Sequence, residues 1–322
     1  MRAYSMFISY NLVEFGEKLK DLRKDLGLSQ LEIQRKAGVS SDTLRRIEKG
    51  EVIPRYETME LLSSIYREDL LTLLKNARIN KLLYEYHDKL DELITFYHEE
   101  KMMALEEEIR KNFSSDFHES VINPDEFLQF LELIQGTSLY HSRFREDHEE
   151  AKRILLSSLR RTWPDFTLRK YKNYKYSYIE LRILLLLSIL MAEKDAISLS
   201  TDILFFIHNR LENNATSDYH HHLIIKIYTN LCYNYHLEDN HEKVMEIADK
   251  GIAYCLSLET THGLNSLYYR KAIAEYQLGI SSYEASLQKA FFILNLTKNH
   301  SLLEVYQEVT KAQYGIDLKP YF

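Results

Sequence analysis

Glycine and proline are scarce, 9 and 4 among 322 residues, too few for the turns that many short strands would need. That shortage points to helices. Cysteine is nearly absent, and Cys232 and Cys255 supply neither a disulfide framework nor metal-ligand spacing. Long hydrophobic runs are missing as well. The longest, residues 183–191, lies between Arg182 and Glu193 and is about half of the ~18 apolar residues that cross a bilayer, so it predicts a buried helix and no membrane partner. The first residues hold no basic segment followed by an apolar stretch and a small-residue cleavage site, which predicts a cytoplasmic protein. No glycine loop of the phosphate-cradling kind and no nucleophile motif is present, so neither an enzyme nor a cofactor is expected.

What is abundant is charge, at 28% of residues, with an excess of acid that gives a net charge of -7. An average of this kind argues against a nucleic-acid partner only if the charge is spread evenly. It is not. Residues 1–66 contain 11 Lys plus Arg against 10 Asp plus Glu, leaving 30 against 38 for the rest. Only the N-terminal part can approach a phosphate backbone without repulsion.

The length predicts two domains, and the patterning places them. Over residues 15–66, apolar positions recur at helical spacing between turn signals at Gly27, Gly38, Gly50 and Pro54. Beyond Tyr66, long amphipathic stretches follow. The expected layout is a small helical bundle at 1–66, a helical connector at 67–80 and an all-α repeat region at 81–322.

The strongest local signal is LGLSQLEIQRKAGVSSDTLRRIEKG, residues 26–50. Ser29 followed three positions on by Glu32 is a capping box that fixes the start of a helix. Gly38 then permits a tight turn, and Ser40 is placed to cap the next helix. Ile33, Val39, Leu44 and Ile47 would form the shared core. Two helices joined by a short glycine-containing turn present the second to the major groove of DNA.

This segment resembles the Cro/repressor-like helix-turn-helix family, through Leu28–Ser29–Gln30, Gly38–Val39–Ser40 and the run Arg46 to Gly50. The resemblance implies a double-stranded DNA partner, with Ser40, Ser41, Asp42 and Arg46 at base edges. Of these, Arg46 best suits a guanine, whose paired acceptors match its fork. It implies phosphate contacts for Gln30, Lys49 and Arg55, which give affinity and register without sequence information. It also implies an ion pair between Arg23 and Glu48. One position departs from the pattern: Gln34 stands where the family usually has a small residue. A helical bundle used for protein contact is the alternative reading of the same caps and turn.

The C-terminal part carries a degenerate repeat. KIYTNLCYNY from Lys226 and SLYYRKAIAEY from Ser266 place Tyr228 and Tyr268 40 residues apart, each followed four positions on by a small residue, Cys232 or Ala272. A small residue there lets a partner helix come close. On the first of these helices His222, Lys226, Asn230 and Asn234 form a polar stripe at four-residue spacing. A solvated face accounts for that stripe equally well. His220, His221 and His222 are consecutive and so point in different directions, which argues against one shared metal ion.

The repeat resembles tetratricopeptide helices, which imply a right-handed solenoid. The whole layout, with its tail LYYRKAIAEYQLG and SLQKAFFIL, resembles the Rgg/PlcR-type (RRNPP) peptide-pheromone receptors. That resemblance implies a homodimeric quorum-sensing regulator with a short signalling peptide as ligand. Stacked repeats curve to expose a surface long enough for an extended chain, and Asn can both donate to and accept from a peptide group. Asn230 falls on the tetratricopeptide position that holds peptides and Arg270 on its counterpart one repeat later, with Lys226 and Asn234 beside them. Tyr178 and Arg182, one turn apart, either extend the groove or form a core edge. The alternative is a repeat domain that docks a folded partner protein instead of a peptide.

Overall fold

The computed structural model describes residues 12–77, 80–95, 99–113, 124–142, 144–192, 196–212, 215 and 218–316. Every regular element among them is helical. The chain divides into two compact units, one of residues 1–91 and 107–124, the other of residues 92–106 and 125–322.

The first unit opens with α1 (Leu12–Asp25), α2 (Gln30–Ala37), α3 (Ser41–Glu48), α4 (Tyr56–Tyr66) and α5 (Leu70–Asn76). The sequence signals for its boundaries are realised atom by atom. Ser29 accepts from the Glu32 amide while the Glu32 carboxylate takes the Ser29 backbone N–H, closing the capping box. Gly38 ends α2 at φ 70°, in the left-handed region that a side chain would strain. Ser40 caps α3 through the Thr43 amide. The core contains Ile33, Val39, Leu44 and Ile47 as the spacing predicts, packed with Phe15, Leu19, Met59, Leu62 and Tyr66. Leu70, Leu74 and Ala77, from the segment predicted as a connector, are buried in the same cluster. Residues 78 and 79 of that segment lie outside those described.

Two further helices, α6 (Asn80–Thr95) and α7 (Glu99–Phe113), precede the long series α8 (Pro124–Tyr140), α9 (Arg145–Thr162), a 3-10 turn (Leu168–Asn173), α10 (Tyr178–Ala192), α11 (Ile197–Glu212), α12 (Asp218–Leu237), α13 (His241–Ser257), α14 (Leu264–Gln277), α15 (Tyr283–Leu296) and α16 (His300–Tyr314). From α9 onwards each helix packs on the next, and α10 also touches α12 and α12 touches α14. Contact between alternate helices is the mark of stacked helical hairpins. The apolar run at 183–191 is the core of α10, almost wholly buried. Cys232 and Ala272, the small residues of the repeat, are fully buried where neighbouring helices meet. Both cysteines are free, and burial pushes the Cys232 thiol up to about 12 and Cys255 to about 11, so they pack as small apolar groups. No helix among the described residues is long and apolar enough to cross a membrane.

Candidate nucleic-acid interface and ligand cavities

In the first unit, α3 is held in place by charge. Arg23 of α1 grips Glu48 at the end of α3 with two N–H donors, Nε to Oε1 at 2.6 Å and Nη2 to Oε2 at 2.9 Å, and its Nη1 donates to the Leu28 carbonyl. Both side chains are largely buried. The bond to Glu48 raises the Arg23 pKa against the effect of burial. This is the ion pair that the helix-turn-helix resemblance implies. Gln30 joins it, its amide donating to Glu48 Oε2 at 2.8 Å. The Tyr66 hydroxyl is buried in the same region without a hydrogen-bond partner, and burial together with the Glu48 charge raises its pKa well above the ordinary value.

The outward face of α3 carries the residues expected to meet DNA, in unequal states. Ser40 is engaged as the helix cap and shares a hydrogen with Thr43 Oγ1. Asp42 accepts from Arg45 Nη2 at 2.7 Å, which lowers the Asp42 pKa and raises that of Arg45. Arg46 is half-exposed and lies 3.8 Å from Glu51, and Lys49 lies 3.9 Å from the same carboxylate. Arg55 is exposed just before α4. Sequence reasoning missed two members of this surface. Arg45 is as exposed as Arg46, and Gln34 reaches from α2 to the first turn of α3, accepting from the Ser41 amide at 3.0 Å and the Ser41 hydroxyl at 2.6 Å.

In the second unit, two adjoining cavities of about 250 and 290 Å³ share Ile94, Lys226, Thr229 and Asn230. The smaller is completed by His262, Asn265, Ser266, Arg270 and Tyr306, among others. The larger is more apolar, through Leu133, Leu185, Leu186 and Ile189, with Arg182, Tyr140 and His141. Lysine and arginine line both, and among the described residues Asp and Glu line neither. Asn230 donates one amide hydrogen to the Lys226 carbonyl at 2.8 Å, and the Arg270 guanidinium sits 4.8 Å over the Tyr233 ring.

Four of the six residues predicted for a peptide, Lys226, Asn230, Arg270 and Arg182, are thus brought together. Asn234 and Tyr178 line neither cavity. Asn234 is buried and donates to Ser200 Oγ and Thr201 Oγ1, tying α12 to α11. A helix turns 100° per residue, so a spacing of four drifts by 40° each step, and by the fourth member the stripe has rotated into the interface. Tyr178 donates to the Tyr219 carbonyl and packs on His220. The three consecutive histidines have separate neighbours: His220 meets Tyr178, His221 hydrogen-bonds Tyr254, and His222 stacks on His262 at 4.0 Å.

A signal for the missed lining residues was present in the repeat. Lys226, Ser266 and Tyr306 are 40 apart and all face the smaller cavity, with Ser266 Oγ and Tyr306 Oη at 3.1 Å. Carrying the period one copy further would have found Tyr306. Ile94 and Thr95 come from a distant segment that carries no repeat signal.

The comparisons with known proteins bear on the fold. Residues 19–73 match the helix-turn-helix family model HTH_3, and the first unit contains a helix-turn-helix domain. The cryptic phage CTXphi transcriptional repressor RstR of Vibrio cholerae is 33% identical over 66 residues, 20% of this chain and 60% of that protein, so the match spans less than two thirds of that relative. Among solved structures, Bacillus thuringiensis PlcR in complex with the peptide PapR7 and DNA aligns with a TM-score of 0.71 and 18% identity over 91% of this chain and 99% of that one. ComR from S. thermophilus, in complex with DNA and its signalling peptide ComS, aligns at 0.61 and 17% over 92% and 99%. The chain has the fold of these two proteins: a helix-turn-helix domain followed by a helical repeat domain.

Proposed function

We propose that this chain is a cytoplasmic, sequence-specific transcriptional regulator, acting as a homodimer on double-stranded DNA and controlled by a short signalling peptide held in the repeat domain. It is a binding protein, with no catalytic step. The observation that carries the reading is the convergence of Asn230, Lys226 and Arg270, 40-residue repeat partners included, on one cavity wall, in a chain whose fold is that of two proteins solved with peptide and DNA.

Domain roles follow the expected layout in outline, with 1–66 reading DNA and 81–322 sensing the peptide and dimerising, while the expected connector 67–80 contributes Leu70, Leu74 and Ala77 to the core of the head. In the head, Arg46 reads a base, with Ser40, Ser41 and Asp42 alongside, and Gln30, Lys49 and Arg55 hold phosphates. In the repeat domain Asn230 pairs with the peptide backbone while Lys226, Arg182 and Arg270 give the cavities a cationic lining that favours a ligand bearing carboxylate.

The test is a titration with synthetic peptides drawn from short open reading frames beside the gene. Saturable binding that Asn230→Ala abolishes is the expected result. Indifference to every peptide, together with a folded protein that co-purifies stoichiometrically, would replace the peptide with a docked partner.

A further inference from the structure

Gln34 occupies a position where the helix-turn-helix pattern usually has a small side chain, and its amide oxygen meets two groups of one residue, the Ser41 N–H at 3.0 Å and the Ser41 hydroxyl at 2.6 Å. A backbone N–H can only donate, so the atom facing it is the Gln34 oxygen and not its nitrogen. That same oxygen has no hydrogen to give. The Ser41 hydroxyl must therefore direct its single hydrogen inward, to Gln34, and present only lone pairs outward. A serine is ordinarily an ambiguous reader, because its hydroxyl rotates to donate or accept as the base edge requires. Ser41 is deprived of that choice.

We propose that Gln34 is a specificity-determining positioning residue that turns Ser41 into an acceptor-only reader. This rests on the reading of α3 as the base-contacting helix. In the major groove adenine N6 and cytosine N4 offer hydrogens, whereas thymine O4 and guanine O6 offer only lone pairs. Acceptor-only Ser41 selects an amine-bearing base, adenine or cytosine, over a keto-bearing one on the strand it faces. The neighbours sharpen the assignment. Ser40 is engaged in capping and Asp42 in its bond to Arg45, so among the three residues opening α3 only the Ser41 oxygen is oriented by a residue of another helix. Gln34 also satisfies the Ser41 N–H, one of the helix-end donors that lack intrahelical partners, so one side chain both fixes the start of α3 and sets the polarity of its first reader.

The experiment is selection of binding sites from randomised duplexes by the full chain at low ionic strength, repeated with Ser41→Ala and with Gln34→Met, which keeps the length of the side chain and removes its acceptor. Thermal unfolding of each variant monitors the fold separately. The wild type is expected to prefer adenine or cytosine at one position of each half-site by about two- to tenfold, the range of one hydrogen bond. Both variants should level that preference to within about twofold and leave the other positions unchanged. A wild-type preference for guanine or thymine at the position Ser41→Ala relaxes would overturn the proposal, as would a Gln34→Met profile identical to the wild type. If Ser41→Ala alters no position while a specific site is still selected, this proposal fails and base reading by α3 stands. If no duplex is selected at all, both fail together.

Discussion

Arg23 and Glu48 set the position of α3 because two buried charges that satisfy one another tolerate no other arrangement. Glu48→Ala leaves a largely buried guanidinium unpaired, along with the Gln30 amide. Removing one partner of such a pair typically costs about 3–5 kcal/mol, so thermal unfolding of the head should drop sharply, whereas breaking the exposed Lys18–Glu14 pair should leave the transition unmoved. Arg46 of α3 and Lys49, which caps its C-terminal end, are expected to separate by function. Arg46→Ala should relax selectivity at one base pair, while Lys49→Ala should weaken all duplexes alike and lower the salt slope by about one. A uniform loss from both would contradict those roles. In the repeat domain the contrast lies between Asn230 and Asn234. Asn234→Ala should destabilise the chain by about 1–3 kcal/mol through its lost buried bonds and leave peptide affinity in the surviving folded protein close to wild type, the reverse of Asn230→Ala. Both asparagines were visible in the sequence as one polar stripe. What separated them was the rotation of α12 against α11, which spacing along a single helix does not record.

Elements meet where side chains are small enough to allow it. A Cβ added at Gly16 of α1 would lie 2.6 Å from the Ile47 and Glu48 carbonyl oxygens at the end of α3. Those are backbone atoms, which cannot swing aside. Gly16→Ala should therefore push α1 from α3, at a cost of about 1–3 kcal/mol or more, and weaken DNA binding beyond what the lost stability explains; an unaltered melting curve would refute it. At the other end, α16 is joined to α12 by the Tyr314 hydroxyl and His236 Nε2, 2.9 Å apart. Burial, followed by the charges of Arg270 and His241, holds the His236 pKa below its ordinary 6.5, against the opposite pull of Asp239. A detached or unfolded His236 thus takes its proton before the packed one does. This contribution to stability is whole above pH 6.5 and is lost as pH falls from there towards the lower folded value. Protection of the amides of residues 300–314 against hydrogen exchange, taken relative to the intrinsic rate at each pH, should fall between about pH 7.5 and pH 5, and His236→Gln should flatten that dependence. Protection that rises on acidification would contradict the sign.

For the whole molecule, the proposed function requires a peptide that favours one arrangement of two heads over another, since a ligand shifts an equilibrium only by binding its states unequally. Phe292 and Leu296 stand one turn apart on α15 and are exposed, as is Leu256 of α13. If these contribute to a homodimer, Phe292→Glu should shift the sedimentation coefficient to that of a monomer and cost affinity for two-half-site DNA far more than for a single half-site. The dimer remaining intact in this variant would place the interface elsewhere.

The amino-acid sequence by itself determined the class of the fold, the helix-turn-helix and the extent of α2 and α3, because caps, turn glycines and apolar periodicity act within a few residues of one another. It also determined the 40-residue repeat, since each copy needs the same small residues to pack. Only the tertiary structure decided which stripe residues face a cavity, which segments from outside the repeat complete it, and that Gln34 takes the hydrogen of Ser41. Those outcomes depend on how one helix is rotated against another, and that rotation is set by packing between residues far apart in the chain.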